Sequence, residues 1–318
     1  MEFCDSDSLK VVYALQQHHQ EDVINTITGG LILIVVFLAI YLYRRIRLTR
    51  QLKRAYAQLE QAYDKLEEVT TQKERIESEL RIAHDIQMKM LPDIISGHPD
   101  IDIYASMTPA KEMCGDLYDF FVRDNLFYFC IGDVAGKGVP AALFMTVTKS
   151  LFRTYAIDEN TPDYIVTQMN HNLGEDNKNR MFVTLFVGIL DMTSGLLRYC
   201  NAGHEAPIII HKDASLLPVN RIFPVGAMDD TSYQLQTAVI EPQTTILLYT
   251  DGLNEAMNIK KEMFGKDRIL SVVNGAIHDG QLSPKALIDR MTQAVHNYVG
   301  DVEQSDDLTM LAINYLKQ

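Results

Sequence analysis

The stretch Met113-Cys-Gly-Asp116-Leu-Tyr-Asp-Phe-Phe121, followed by Leu126-Phe-Tyr-Phe-Cys-Ile-Gly-Asp133-Val-Ala-Gly-Lys-Gly138, decides how the chain is read. Leu117 to Val122 and Leu126 to Ile131 are rich in aromatic and β-branched residues, with Arg123-Asp124-Asn125 between them. That pattern predicts a β-hairpin. Asp116 then opens its first strand and Asp133 closes its second, and in an antiparallel pair those ends are neighbours. Two carboxylates so placed either share a cation, which for hard oxygen ligands means Mg²⁺ or Mn²⁺, or are two turn residues of the Gly-Asp type.

Working outward, a helix is predicted from Gly138 to about Tyr155, with Pro140 in its first turn. A second helix covers about Pro162 to Leu173. A polar loop, Gly174 to Arg180, precedes a strand from Phe182 to Leu190, and Asp191 to Gly195 turns the chain back through Leu196 to Asn201. Further strand-like runs are 101–109, Pro207–His211, Tyr233–Ile240, Thr244–Thr250 and Leu308–Tyr315. Helices are expected near Lys266–Asn274 and Pro284–Tyr298. Strands in runs with helices in separate pairs indicate an α+β domain over 92–318, helices covering sheets on both outer sides.

Upstream the composition changes. Residues 1–22 are polar and acidic, and the adjacent His18 and His19 fit a solvated helix better than a metal site. Residues 23–43 form an apolar block of the length that spans a bilayer. Arg44, Arg45, Arg47, Arg50, Lys53 and Arg54 crowd its C-terminal flank, which places that flank in the cytoplasm and the N-terminus outside. A cleaved signal peptide fits poorly, because the basic residues follow the apolar block. From 44 to 91 there is no glycine or proline. A 3-4 spacing runs Leu52, Ala55, Leu59, Ala62, Leu66, Val69, Lys73, Ile76, Leu80, Ala83, Gln87, Met90. This predicts a coiled coil and a parallel homodimer, Lys73 and Gln87 being polar seam residues that weaken it and either fix its register or make it switchable. The alternative is an amphipathic helix packed on the downstream domain, and the two stand about level from Arg81 to Pro92.

Of the formal net charge of −13 over 318 residues, residues 92–318 carry −12. An acidic main domain argues against nucleic acid as partner and suits a cation site. Cys4, Cys114, Cys130 and Cys200 are scattered without a CxxC pair, so they are neither a disulfide framework nor a zinc site. Two more acidic loops flank strands, Thr250-Asp251-Gly252 and Ser305-Asp306-Asp307. Rigid scaffolds present ligands at such places. Gly132 to Gly138 does not meet the P-loop pattern.

Cys114-Gly-Asp-Leu-Tyr-Asp-Phe, Gly132-Asp-Val-Ala-Gly-Lys-Gly-Val-Pro-Ala-Ala-Leu, Asn201-Ala-Gly-His, Leu248-Tyr-Thr-Asp-Gly and Asp306-Asp-Leu-Thr resemble, in order, the motifs of the SpoIIE/RsbU-type serine/threonine phosphatases of the metal-dependent PP2C superfamily. Ala83 to Pro92 is similar to the linker helix that precedes such domains. The resemblance covers about Ala83 to Tyr315 and implies a four-layer α-β-β-α sandwich with two Mn²⁺ or Mg²⁺ ions between its sheets. Asp133 matches the aspartate bridging both ions, helped by the Val134 carbonyl. Asp116 matches a ligand of the first ion, and Asp251 and Asp306 ligands of the second, with Asp307 competing for the last role. Two cations neutralise the phosphate oxygens and a bridging water loses its proton near neutral pH, so no protein nucleophile is needed.

There are departures. Cys114 stands where many members have glycine, and the loop after Asp133 lacks the histidine that eukaryotic relatives use as an acid. His204 either serves instead or shapes its hairpin. Lys137 either meets phosphate or is a solvated loop residue. The implied substrate is a phosphoserine on an anti-anti-sigma (STAS) protein, and the implied location is the bacterial cytoplasmic membrane. A non-catalytic adaptor with a degenerate phosphatase fold is the alternative. A two-metal nucleotide cyclase or ATPase would need a phosphate-cradling loop that is missing. About twenty-two residues outside the membrane are too few for a folded sensor. A partner or the membrane supplies the signal, or the chain is a fragment.

Overall fold

A computed structural model describes residues 6–95, 97–157, 160–175, 177–220 and 222–317. The first five residues of the 1–22 segment, Cys4 among them, and Asp176 of the polar loop lie outside the described residues. The chain divides into two units after Arg75.

The first unit is helical throughout its described length. It belongs to helix α1, Ser6–Met90, which takes in the apolar block and the heptad stretch without a break. The helix is long and apolar enough to cross a membrane. His18 and His19 are exposed on it. The seam residues Leu52, Leu59, Leu66 and Val69 are also exposed.

The second unit begins with the last turns of α1 and continues as a sandwich of two antiparallel sheets. One sheet has the order β1-β10-β9-β6-β7, with β1 Ile101–Thr108, β6 Ile208–Ile210, β7 Ala214–Leu216, β9 Thr244–Tyr249 and β10 Leu308–Tyr315. The other runs β2-β3-β4-β5-β8, with β2 Leu117–Arg123, β3 Leu126–Val134, β4 Val183–Asp191, β5 Leu196–Ala202 and β8 Gln236–Val239. The quoted hairpin is β2–β3, and Asp124 in its turn takes the left-handed conformation that aspartate tolerates.

Strand alternation divides the side chains into three cores. Phe120, Phe127, Phe129, Ile131 and Phe186 meet Ile103, Ile246, Leu248, Leu311 and Ile313 between the sheets. Rings stack across three neighbouring strands there, Phe129 on Phe186 at 6.1 Å and Phe186 on Tyr199 at 5.6 Å. On the outer side, Tyr128, Cys130 and Val187 meet helices α2 (Val139–Tyr155) and α3 (Pro162–Gly174). On the opposite outer side, Leu247, Tyr249 and Met310 meet α5 (Gly265–His278) and α6 (Pro284–Val299). The result is the expected α-β-β-α order. Cys114, Cys130 and Cys200 are reduced and buried.

Three elements depart from the sequence reading. The strand expected over Tyr233–Ile240 shrinks to β8, an edge strand whose Val239 is exposed. β7 was not foreseen, because Ala-Ser-Leu is too short to show a period. A short helix, α4 (Asp251–Asn254), follows β9 directly, so Asp251 opens a helix and does not merely end a strand.

Candidate metal-dependent phosphatase site

Alternation also places the aspartates. On β3, Phe127, Phe129 and Ile131 face the space between the sheets, so Asp133 continues that row. On β2, Tyr118 and Phe120 do the same, and Asp116 precedes them in phase. The ends of both sheets meet here. The Thr250 hydroxyl, at the end of β9, donates to Asp116 Oδ2 at 2.8 Å across the sandwich. Sequence reading gave Thr250 no role, although Ile246 and Leu248 put it in phase with the inner face.

Asp116 is 1% exposed, and its proton affinity is raised well above the carboxylate range by burial and by Asp133, with hydrogen bonds opposing. Asp133 is raised by burial, then by Asp251 and Asp306, while a hydrogen bond with Asp116 opposes the rise. Asp251 is pushed up to about 6 by burial, Glu255, Asp306 and Glu205. None of these influences is a cation, so this end of the sandwich concentrates negative charge. Asp133 is thereby within electrostatic reach of Asp116, Asp251 and Asp306, and Asp251 within reach of Asp306. Val134 follows Asp133 at the end of β3 and is buried.

The adjacent aspartates part company. Asp307 is buried, and its carboxylate accepts from the Ala110 N–H at 2.8 Å and the Gly115 N–H at 2.7 Å. It fastens the start of β10 to the loop that carries Asp116. Asp306 is more open and pairs with Lys137 at 3.0 Å. A close approach fixes this corner: a Cβ on Gly252 would lie 1.9 Å from the Asp307 carbonyl oxygen, so only glycine lets α4 reach the loop.

Gln87 was read as a coil-seam residue. It is buried, and its amide makes two bonds with one residue, Nε2 donating to the Cys114 carbonyl at 2.7 Å and Oε1 accepting from the Cys114 N–H at 3.1 Å. Leu80 and Ala83 share its half-buried face, so this end of α1 packs on the sandwich. The sequence signal was a polar residue in an apolar seam just before the Pro92 stop. His204 is buried and pushed down to about 4 by loss of water, partly offset by the Tyr249 backbone. Its Nδ1 pairs with the Thr184 hydroxyl at 2.9 Å, and Asn201 bonds its N–H and carbonyl. A histidine so held shapes the loop.

Among the described residues, no three His, Cys, Asp or Glu side chains are gathered closely enough to enclose an ion. Asp306 is turned to Lys137. The donor set nonetheless fits hard divalent cations: it is all oxygen, largely buried, and short of positive charge.

Four layers with an acidic pole where the sheets meet define a PP2C-like α+β fold. Residues 123–316 match the family model described as Stage II sporulation protein E (SpoIIE), and the chain belongs to that family. Asp133, Asp251, Asp306 and Asp307 fall inside the match, and Asp116 lies just before it. The chain is 28% identical over 265 residues to Protein IcfG of Synechocystis sp., covering 74% of this chain and 41% of IcfG. It is 29% identical over 185 residues to phosphoserine phosphatase RsbU of Bacillus subtilis, covering 58% of this chain and 55% of RsbU. The chain thus spans about half the length of these relatives. The SiaA-PP2C domain of Pseudomonas aeruginosa superposes with a TM-score of 0.67 at 20% identity, over 76% of this chain and 98% of that domain.

Proposed function

We propose that the chain is a membrane-anchored, metal-dependent serine/threonine phosphoprotein phosphatase. The observation that carries this reading is the gathering of Asp116, Asp133, Asp251 and Asp306 at one acidic pole, with the part-exposed Lys137 paired to Asp306. Asp116 and Asp133 would hold a first ion, Asp133, Asp251 and Asp306 a second, and the Val134 carbonyl would help hold one of them. Mn²⁺ or Mg²⁺ so bound supplies neutralisation of the phosphate oxygens and acidifies water. The protein's part is positional. Thr250 orients Asp116, Asp307 and Gln87 fix the loop that leads into it, and Gly252 lets Asp251 approach. RsbU is named a phosphoserine phosphatase, which supports phosphoserine as the substrate, here on a STAS-type regulator in a partner-switching pathway.

Residues 23–43 cross the bacterial cytoplasmic membrane with the N-terminus outside. Two observations support this. The block is fully exposed along α1, and the Thr26 and Thr28 hydroxyls inside it donate to the Asp22 and Ile24 carbonyls, leaving them satisfied without water. The exposed seam from Leu52 to Ile76 pairs with a second copy as a parallel coil. That coil passes its signal to the end of α1, where Gln87 grips the Asp116 loop.

The test is hydrolysis of p-nitrophenyl phosphate and a phosphoserine peptide by the full chain in detergent. Turnover that needs Mn²⁺, stops with EDTA and is lost in Asp133→Asn is the expected result. A folded chain that neither binds metal nor turns over would instead make it an adaptor.

A further inference from the structure

The structure gives Lys137 a partner that sequence reading did not foresee. Its ammonium lies 3.0 Å from Asp306 Oδ2 and also donates to the Ser305 carbonyl. The rest of the 304–307 loop is fastened independently of it. The Gln304 amide donates to the carbonyls of Thr108 and Asp306, and the Asp307 carboxylate holds Ala110 and Gly115. Among the described residues, the Asp306 carboxylate otherwise accepts from the neighbouring Asp307 N–H, at 2.9 Å. Its side chain is therefore the adjustable member of a fixed loop.

Lys137 is adjustable too. It stands between Gly136 at φ 101 and Gly138 at φ 75, both with open space where a Cβ would be. This glycine-flanked loop also carries Asp133 and Val134 at its root. The pair is only partly buried, its side chains 36% and 31% exposed, so water screens it and little free energy holds it closed.

We propose that Lys137 is an internal cation that competes with the second metal ion for Asp306 and, once displaced, becomes the contact for the substrate's phosphate. The inference rests on the phosphatase reading. A lysine ammonium and a divalent ion drawn to the same carboxylate repel each other, and each weakens the other's hold on it. Metal entry therefore turns Asp306 away from Lys137. The freed ammonium stays on the loop beside Asp133, where an anion neutralises it. Metal binding and phosphate recognition become two ends of one exchange, and an ion-poor site presents no lysine to the substrate.

Calorimetric titration of Mn²⁺ into the full chain, with Lys137→Gln, Lys137→Arg, Asp306→Ala and the Lys137→Gln/Asp306→Ala double variant, tests it. Lys137→Gln is expected to tighten the weaker ion about two- to fivefold, the range that a part-exposed ion pair leaves to be recovered. Lys137→Arg keeps the wild-type affinity. In the Asp306→Ala background, Lys137→Gln changes nothing further, which separates competition for that carboxylate from a general charge effect. In the same preparations Lys137→Gln raises KM for the phosphoserine peptide while the tighter ion persists. Mn²⁺ affinity unchanged or weakened in Lys137→Gln, or an equal gain with Asp306 absent, overturns the exchange and leaves the phosphatase reading intact. A wild-type chain that binds no Mn²⁺ removes both.

Discussion

Asp116 and Asp119 are three residues apart on one edge of one sheet, and both are buried, at 1% and 0% exposure. Their surroundings are opposite. Asp119 points to the outer side, where Arg153 of α2 grips it through Nε and Nη2 at 2.5 and 2.6 Å and Lys149 adds a bond at 3.0 Å. Arg153 also lies over the Phe121 ring, 4.4 Å from its centroid. Asp116 points between the sheets, toward Asp133, with hydroxyl partners and, among the described residues, no cation to offset it. A buried carboxylate with two cations is a structural tie. One crowded by other carboxylates keeps a standing demand for positive charge. The contrast lies in what the opposite side of the strand faces, which a single odd or even step along β2 decides.

The comparison breaks most visibly at Asp133. Asp133→Asn should lower Mn²⁺-dependent turnover by well over a hundredfold, beyond the roughly 10–100-fold cost of losing an outer partner of a metal site. The folded state in EDTA should be as stable as wild type or more so, since a repelled charge is gone. Urea melts and peptide hydrolysis read the two halves. Asp119→Asn should do the reverse. Leaving Lys149 and Arg153 without their carboxylate costs about 3 kcal/mol in urea unfolding, while the protein still folded keeps its Mn²⁺ affinity. Gln87→Ala sharpens the contrast from a distance. It removes both bonds to Cys114, two residues from Asp116, and should weaken Mn²⁺ binding about tenfold.

The smallest effect concerns a third buried ionisable group. His204 is held down to about 4 against an ordinary value of 6.5. The unfolded chain therefore takes up its proton first, and His204 contributes stability that is present above about pH 6.5 and lost as pH falls toward 4. In EDTA, His204→Gln should flatten the fall in melting temperature across that window. A variant profile parallel to wild type would remove the histidine from the account.

The architecture was largely legible because it rests on periodicity. Aromatic and β-branched runs marked β2, β3, β4 and β9, and Pro140, Pro162 and Pro284 marked helix starts. The same alternation that builds the aromatic core carries Asp133 to the inner face. What could not be read was pairing across long separations. Nothing in Asp306-Asp307 says which carboxylate is tied to Ala110 and Gly115 and which stays open to Lys137. Nor does a glutamine at a seam position say whether it meets a second helix or the Cys114 backbone. The Asp119 tie was equally hidden, since Lys149 and Arg153 reach it only once α2 has packed on the sheet.

The most direct measurement is a paired melt of wild type, Asp116→Asn and Asp119→Asn, each in EDTA and in Mn²⁺ at about a hundred times its dissociation constant. Binding at that excess stabilises the native state by about 2.7 kcal/mol per site. The account predicts a Mn²⁺-dependent rise for wild type and for Asp119→Asn from its lower starting point, and a much smaller rise for Asp116→Asn from an undiminished one. Equal rises in all three would contradict it, because the acidic pole would then not be where the ions are held.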